Sequence, residues 1–542
     1  MVGWAPRQID GVLVLVVAAC LKPWPWHLSG VLGAYVVFAT LGRSNEKLAF
    51  RGCAGDGVLF TVCIGPALLT AIEQTGQSTW PGAPVSAEVL AVASVQALMD
   101  FAVSMNLVTH VLQIATFVFL GATVMGLPTE TLGTFLFAQK LALRCCLSRD
   151  LWGRCFSSSE GLFWAQSTAT LAAVLQLGYH THFVAWSSSS LFTCALMVHA
   201  VIFLMLTALF ARLLTKDGQR SWASCCASVT TLGLFIVWGI SGACRWSTTT
   251  RGTPLQWFTR MILEDERHLQ LALLQWPAIL LLVIGAIQAA AQRSEVLTGK
   301  KTTQHERAVV KVLFRKAFHV LAILLFIPPI LGGQVAFLSL AFAVAAILFV
   351  ILEAFRVSQT PWIAHVLDSF VAQYLDSREN TGRGDLVVTH LYLLLGCALP
   401  IWLEPPLEQQ IGIMLQSQLD KGQHVLRLTA GVLAVGVGDA CAAAFGVRFG
   451  RVRWPQSHRT VEGSMAFVVG VLVAARILLH LSSYGSDSGE HKESGCWALF
   501  AALVCTTMLT SLLEVYTQSI DNLVLPLYFC FALRVFTHSA VG

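Results

Sequence analysis

The stretch TAGVLAVGVGDACAAAFGVRFGRVRWPQSHRTVEGSMAFVVGVLVAARILLHLS, residues 429–482, contains two apolar runs joined by a basic loop. The runs, 429–447 and 464–482, are each long enough to cross roughly 30 Å of hydrocarbon as a helix. Two such runs with a short polar connection predict a transmembrane helical hairpin. Asp439 lies inside the first run, which is an expensive place for a carboxylate.

The rest of the chain repeats this pattern. Its 542 residues are 56% hydrophobic and only 12% charged, which excludes an ordinary soluble globular protein. We therefore expect an all-α, polytopic transmembrane helical bundle of roughly 13 to 17 spans. The other apolar runs lie near 10–22, 28–42, 57–73, 85–105, 107–126, 130–145, 161–178, 189–213, 225–243, 269–291, 318–331, 334–352, 386–403, 496–513 and 523–537.

The polar residues divide the chain into two regions. In 1–290 the apolar runs carry only isolated polar points, which we expect to form helix–helix hydrogen bonds: Glu73, Asp100, His110 and His199. This N-terminal transmembrane region has no predicted role. Region 291–542 carries several polar clusters, and we expect it to be the catalytic transmembrane region.

Several site classes are absent from the sequence. The fifteen cysteines contain no C-x-x-C, so neither a zinc site nor a disulfide framework is indicated. No P-loop motif and no H-E-x-x-H is present, and the G-x-G at 436–438 lies in an apolar run rather than after a strand. We expect no nucleic-acid partner, and a nucleotide site would have to be built from loops at the membrane edge.

The distribution of charge predicts which loops face the cytosol. The segment 293–316 is strongly basic, so the positive-inside rule places it on the cytosolic side. Threading the chain onward makes the loop with Glu404 and Arg427 lumenal and the basic loop 448–462 cytosolic. It also returns the segment 514–521 to the cytosol. The polar clusters therefore fall on one predicted face.

Asp439 needs a partner, because a carboxylate within a membrane helix costs about 2.5 to 3.5 kcal/mol on insertion scales. One interpretation is a metal ligand or a general base. Its neighbours are glycines and alanines, which let another helix or a ligand approach the backbone closely. The alternative is a packed small-residue helix whose aspartate pairs with an arginine.

The loop after this helix is rich in groups that bind polyphosphate. Arginine forks can hold phosphates and a carboxylate beside them can bind Mg²⁺. The groups concerned are Arg448, Arg451, Arg453, His458, Arg459, Thr460, Glu462 and Gly463. The alternative is an ordinary positive-inside loop, with Ser464 as the N-cap of the next helix.

The motif FRKAFH, residues 314–319, places Arg315 and His319 four apart on a helix, with Lys316 beside them. These side chains could hold a phosphate at the membrane surface. They could equally be basic residues that extend from a helix end towards water.

A fourth motif, LLEVYTQSIDN, residues 512–522, forms a polar stripe on an apolar helix. The stripe consists of Glu514, Gln518, Asp521 and Asn522. It could complete a metal or hydroxyl site, or it could be a helix end that meets water.

These motifs, together with THLYLLLGCALPIWL at 389–403, resemble the dolichol kinase family in one consistent order over about residues 305–535. The resemblance implies a multi-pass protein of the endoplasmic reticulum membrane. Its activity would be transfer of the γ-phosphoryl group of CTP to the terminal hydroxyl of dolichol or a related polyprenol, for protein glycosylation. Mg²⁺ or another divalent cation would be the cofactor, and the catalytic loops would face the cytosol.

The resemblance also assigns roles to residues. Catalytic roles fall on Asp439, Arg315, Lys316 and His319. Metal roles fall on Asp439, Glu462 and Asp521. The loop 449–464 corresponds to the CTP-binding loop of the family, with the contacts expected at Gly450, Arg451, Arg453, Trp454, Pro455, His458, Arg459, Thr460, Glu462 and Gly463.

The chain departs from the family pattern after Asp439. The family has a threonine next and an Ala-Ser pair two residues further on, whereas this chain has Ala440 and Ala442-Ala443, so two hydroxyls are missing. Two other functions stay open on sequence grounds: a CTP-using phosphatidate cytidylyltransferase, which releases pyrophosphate, and a membrane transporter. The oligomeric state is not predicted.

Overall fold

The protein is described by a computed structural model. The described residues are 9–21, 26–41, 58–74, 86–102, 107–125, 129–146, 156–181, 259–260, 262–263, 265–297, 304–357, 364–368, 386–404, 418–483, 493–517 and 520–541. Within them the chain is helical, and its one β-bridge joins Arg453 to Thr460. The predicted all-α class is confirmed.

Seven helices are described before residue 182. They are α1 (Ile9–Ala18), α2 (Trp26–Leu41), α3 (Val58–Gln74), α4 (Ala87–Ala102), α5 (Leu107–Met125), α6 (Thr129–Cys146) and α7 (Ser158–Thr181). The predicted runs 189–213 and 225–243 lie outside the described residues.

The helices described after residue 258 include those that carry the motifs. They are α8 (Glu266–Gln270), α9 (Trp276–Leu297), α10 (Gln304–Leu331), α11 (Val335–Val357), α12 (Thr389–Trp402), α13 (Gln418–Leu428), α14 (Ala440–Phe449), α15 (Val461–Ser483), α16 (Glu493–Tyr516) and α17 (Asp521–Val541). Short π-helical segments, Leu271–Gln275 and Val432–Asp439, lead directly into α9 and α14. Each predicted apolar run in the described residues coincides with a helix.

Five helical stretches are long and apolar enough to cross a membrane. They are Glu266–Ala286, Val335–Val357, Val432–Phe449, Val461–Ser482 and Trp497–Tyr516. Shorter apolar helices accompany them, α1 and α12 among them. The protein is therefore a multi-pass membrane protein, and the total of 13 to 17 spans stays a prediction.

The two regions share one hydrophobic core. The Tyr528 hydroxyl of α17 donates to the Leu13 carbonyl of α1 at 3.1 Å, and the Trp164 indole N–H of α7 donates to the Tyr392 hydroxyl of α12, also at 3.1 Å. Buried apolar side chains of α1 and α3 belong to the same cluster as those of α12 and α17. The N-terminal helices thus cover the helices that carry the C-terminal motifs.

The predicted hairpin of 429–447 and 464–482 forms, and small residues bring its two helices into close contact. A Cβ added at Gly463 would lie 2.9 Å from the Ala442 carbonyl oxygen, and one at Gly438 would lie 2.5 Å from the Phe467 ring. Side chains at these positions would push the helices apart. The small residues around Asp439 therefore serve helix packing.

Polar contacts also fix the start of α12. Glu353 accepts a hydrogen bond from the backbone N–H of Val387 at 2.5 Å and pairs with Arg356 at 2.6 Å. Arg356 in turn contacts Asp368 at 3.0 Å. These contacts tie the end of α11 to the beginning of α12.

Candidate active site

Asp439 is the centre of a buried polar cluster. It ends the π-helical segment, and its side chain is 2% exposed. Its Oδ2 accepts from the Lys316 ammonium and lies 3.2 Å from His319 Nε2. Its Oδ1 has no hydrogen-bond partner among the described residues. The expectation that a structural Asp439 would pair with an arginine is wrong, because a lysine is the direct partner.

Helix α10 supplies this pairing through residues three apart. Lys316 and His319 lie one turn from each other, so both reach Asp439 from the same face. Arg315 belongs to the same helix, but its side chain lies outside the described part of the structure.

The start of α17 closes the other side of the cluster. His319 Nε2 lies 3.3 Å from the Asn522 side-chain oxygen, and the adjacent Asp521 binds Arg459. The polar stripe in 512–522 therefore belongs to the cluster rather than to a helix end in water, while Gln518 lies outside the described residues. Asn522 was visible in the motif but was not among the predicted site residues.

The basic loop folds into a short hairpin between α14 and α15. The Trp454 N–H donates to the Arg459 carbonyl at 3.0 Å, and the Val461 N–H donates to the Val452 carbonyl at 2.9 Å. Gln456 turns the chain with a φ of 58°. The hairpin begins at Gly450. A Cβ added to this residue would lie 2.3 Å from the Gly446 carbonyl oxygen, so only glycine fits.

Three side chains hold the hairpin in place. Thr460 caps α15, because its hydroxyl accepts from the Gly463 N–H at 3.2 Å. Ser464, the predicted cap, instead accepts from the Trp454 indole at 3.0 Å, so that prediction is wrong. Glu462 accepts from the Arg451 and Val452 N–H groups at 3.0 and 3.1 Å. Thr460, Trp454 and Glu462 thus have structural contacts of their own.

The hairpin separates the predicted CTP-binding side chains into two groups. Arg459 turns inward, with Nη1 3.2 Å from Glu514 Oε1 and Nη2 2.6 Å from Asp521 Oδ2. The outer surface carries the side chains of Arg451, Arg453, Pro455 and His458. We call the inward group the Asp439 cluster: Lys316, His319, Asp439, Arg459, Glu514, Asp521 and Asn522.

The electrostatics of the cluster keep its arginine charged. Burial alone would lower the pKa of the Arg459 guanidinium, but the carboxylates of Asp521, Glu514 and Asp439 hold it above its ordinary value. The cluster contains three acidic and two basic side chains besides the histidine. It can therefore present a charged arginine to an anion.

Mg²⁺ fits the cluster in part. Among the described residues, no three His, Cys, Asp or Glu side chains converge as a ready set of metal ligands. However, Mg²⁺ at a nucleotide site needs only one or two carboxylates, because water and phosphates complete its octahedron. The buried Oδ1 of Asp439 suits that role. Both oxygens of Glu462 accept backbone hydrogen bonds.

The isolated polar points of the N-terminal region form helix–helix contacts where they are described. Asp100 of α4 pairs with Lys140 of α6 at 2.9 Å, and Lys140 also donates to Gln113 of α5. This outcome matches the expectation for Asp100. The side chains of Glu73 and His110, and His199 as a whole, lie outside the described residues.

Comparison with known proteins supports the resemblance seen in the motifs. The human dolichol kinase is 31% identical over 339 residues, which are 61% of this chain and 57% of the relative. Dolichol kinase EVAN of Arabidopsis thaliana is 32% identical over 222 residues, 41% of this chain and 35% of that protein. The dolichol kinase of Saccharomyces cerevisiae is 25% identical over 284 residues, 52% of this chain and 45% of that protein.

These alignments span between about a third and a little over half of the relatives' own length. No protein-family model and no solved structure matches the chain. The sequence motifs indicated a resemblance to dolichol kinases, and the curated relatives confirm that this chain is similar to them.

Proposed function

We propose that this chain is a lipid kinase that transfers the γ-phosphoryl group of CTP to the terminal hydroxyl of dolichol, giving dolichyl phosphate and CDP for protein glycosylation. The proposal is supported by the similarity to dolichol kinases and by one observation above others. Three separate motifs converge on one buried cluster. The first contributes Lys316 and His319, the second Asp439 and the third Arg459.

The chemistry of the transfer suits these residues. The lipid hydroxyl oxygen bonds to the γ-phosphorus while the bond from that phosphorus to the bridging oxygen breaks, and the electron pair leaves with CDP. Phosphoryl transfer depends mainly on positioning and on neutralising charge, because its transition state is loose. Arg459 would hold phosphate oxygens from the hairpin, and Lys316 would orient Asp439.

Asp439 would act through Oδ1, since Lys316 and His319 engage its other oxygen. That free oxygen would either accept the hydroxyl proton or bind Mg²⁺ together with Asp521. Mg²⁺ would supply neutralisation of the phosphate charge when it is bound. Titration of an Asp439→Glu variant with Mg²⁺ separates the two roles: a metal ligand raises the Mg²⁺ requirement, and a base lowers the maximal rate at every Mg²⁺ concentration.

The location of the two substrates fits a membrane-edge site. Dolichol is too apolar to leave the bilayer, whereas CTP is soluble, so the reaction needs a cluster buried among helices beside a polar loop. We propose that the protein lies in the endoplasmic reticulum membrane with this site on the cytosolic side, as the charge pattern of the loops predicts.

The experiment supplies membranes containing this chain with dolichol and with CTP labelled on either the γ- or the α-phosphate, and repeats the γ-label arm with ATP. The proposal expects γ-label from CTP in a lipid product and CDP in solution. α-Label in the lipid with release of pyrophosphate would instead identify a cytidylyltransferase. No transfer under conditions in which human dolichol kinase is active would overturn the proposal.

A further inference from the structure

Arg459 is held between two carboxylates that come from different helices. Its Nη1 lies 3.2 Å from Glu514 Oε1 on α16, and its Nη2 lies 2.6 Å from Asp521 Oδ2 on α17. The Glu514 side chain is only 2% exposed, whereas that of Arg459 is 34% exposed. About a third of the Arg459 side chain is therefore accessible, whereas the carboxyl group of Glu514 that pairs with it is enclosed.

Glu514 and the next residue bind two points of the hairpin. Ser457 donates its hydroxyl proton to the Val515 carbonyl at 2.7 Å, two residues before Arg459. The last turn of α16 thus fixes both the position of the hairpin and the direction of its inward arginine. The guanidinium of Arg453, an exposed arginine of the same hairpin, forms no ion pair with a carboxylate among the described residues.

A buried carboxylate is costly unless a cation pairs with it. Glu514 lies in an apolar helix of a membrane protein, and an ion pair that served stability alone could be replaced there by apolar side chains at little cost. A guanidinium carries five N–H donors, so two ion pairs leave donors for an anion.

We propose that Glu514 is a positioning residue that fixes the Arg459 guanidinium so that its accessible part receives the polyphosphate of CTP. This inference rests on the proposed function. Glu514 acts through Arg459 and need not touch the nucleotide. The arrangement gives a role to Glu514, which the polar stripe of 512–522 contained but the predicted catalytic and binding residues did not.

The first test does not depend on activity. Phenylglyoxal modifies accessible arginines, and peptide mass spectrometry gives the rate at each position. In purified protein we expect Glu514→Gln to raise the rate at Arg459 about fivefold, since a released guanidinium samples exposed positions more often. Arg453, which is exposed and lacks this partner, serves as the internal reference and should not change.

The second test uses the kinetics of transfer. Glu514→Gln should raise the KM for CTP about tenfold with a smaller change in kcat, as expected when ground-state binding to phosphate is weakened. Thr507→Val is the matched control, because it removes a buried hydrogen bond of the same helix, two turns before Glu514, without changing charge or touching the hairpin. It should leave the KM for CTP within about twofold of the parent value.

The outcomes separate this inference from the proposed function. Unchanged Arg459 reactivity in Glu514→Gln, or an unchanged KM with only less folded protein, would overturn the positioning role. A parent protein without CTP-dependent transfer would overturn the proposed function, while the Arg459 reactivity would still report on Glu514. If Glu514→Gln does not fold, Glu514→Asp withdraws the carboxylate and should show the same shift in Arg459 reactivity.

Discussion

The Asp439 cluster has a counterpart further along α17. Glu404 follows α12, and it contacts His424 and Arg427 of α13 and Arg534 of α17. We call these four residues the Glu404 cluster. Arg534 lies thirteen residues beyond Asp521 on one helix, which places the two clusters about 20 Å apart.

The two clusters differ in charge and in access. The Asp439 cluster contains three acidic and two basic side chains besides its histidine, and its arginine is 34% exposed on a loop. The Glu404 cluster has two arginines to one carboxylate, and all four side chains are at most 8% exposed. Burial of charge therefore does not by itself indicate chemistry. What distinguishes the Asp439 cluster from the enclosed Glu404 cluster is a partly exposed arginine.

The largest expected effect concerns Glu404. Glu404→Gln leaves two buried guanidiniums without their counter-charge, which should lower the free energy of unfolding by about 3 to 5 kcal/mol. Thermal unfolding of the detergent-solubilised protein measures this loss. A midpoint equal to that of the parent would show that water reaches the Glu404 cluster. It would contradict the view that the two clusters differ in access to solvent.

Low pH should also destabilise the protein through the Glu404 cluster. Burial alone would raise the pKa of Glu404, but Arg534 and Arg427 lower it from 4.5 to about 2. Because the folded-state pKa is the lower one, the stabilisation is complete above pH 4.5 and is lost as the pH falls towards 2. Unfolding midpoints recorded across this range should fall more steeply in the parent than in Glu404→Gln. Parallel curves would contradict the assignment.

Helix packing at the hairpin should give a smaller effect. Gly463→Ala places a methyl group 2.9 Å from the Ala442 carbonyl oxygen, and such overpacking costs about 1 to 3 kcal/mol. Gly285→Ala is the control, because no atom lies within 4 Å of its added Cβ. Equal unfolding midpoints for the two variants would mean that α14 and α15 separate easily.

Much of the fold follows from the sequence, because apolar runs of about 20 residues have few alternatives to membrane helices. The charge pattern and motif order brought Lys316, Asp439, Arg459 and Asp521 into one predicted site. The Glu404 cluster was missed, because Glu404 and Arg427 were read as charges of a lumenal loop. Arg534 inside an apolar run was the available signal.

The details of the hairpin also needed the structure. Arg451, Arg453 and Arg459 have the same residue type within nine positions, and only the register of the β-bridge decides which one points inward. Thr460 and Ser464 are both good capping residues, so the choice between them depends on where the helix starts.

The most direct test compares two variants in one assay: Asp439→Asn, and a triple variant, Glu404→Leu with Arg427→Met and Arg534→Met. Transfer of γ-label from CTP to dolichol is normalised to folded protein. We expect Asp439→Asn to lose at least about 100-fold in rate. The triple variant, whose charges are replaced together by apolar groups, should stay within about threefold of the parent. An active Asp439→Asn beside a folded but inactive triple variant would contradict the account.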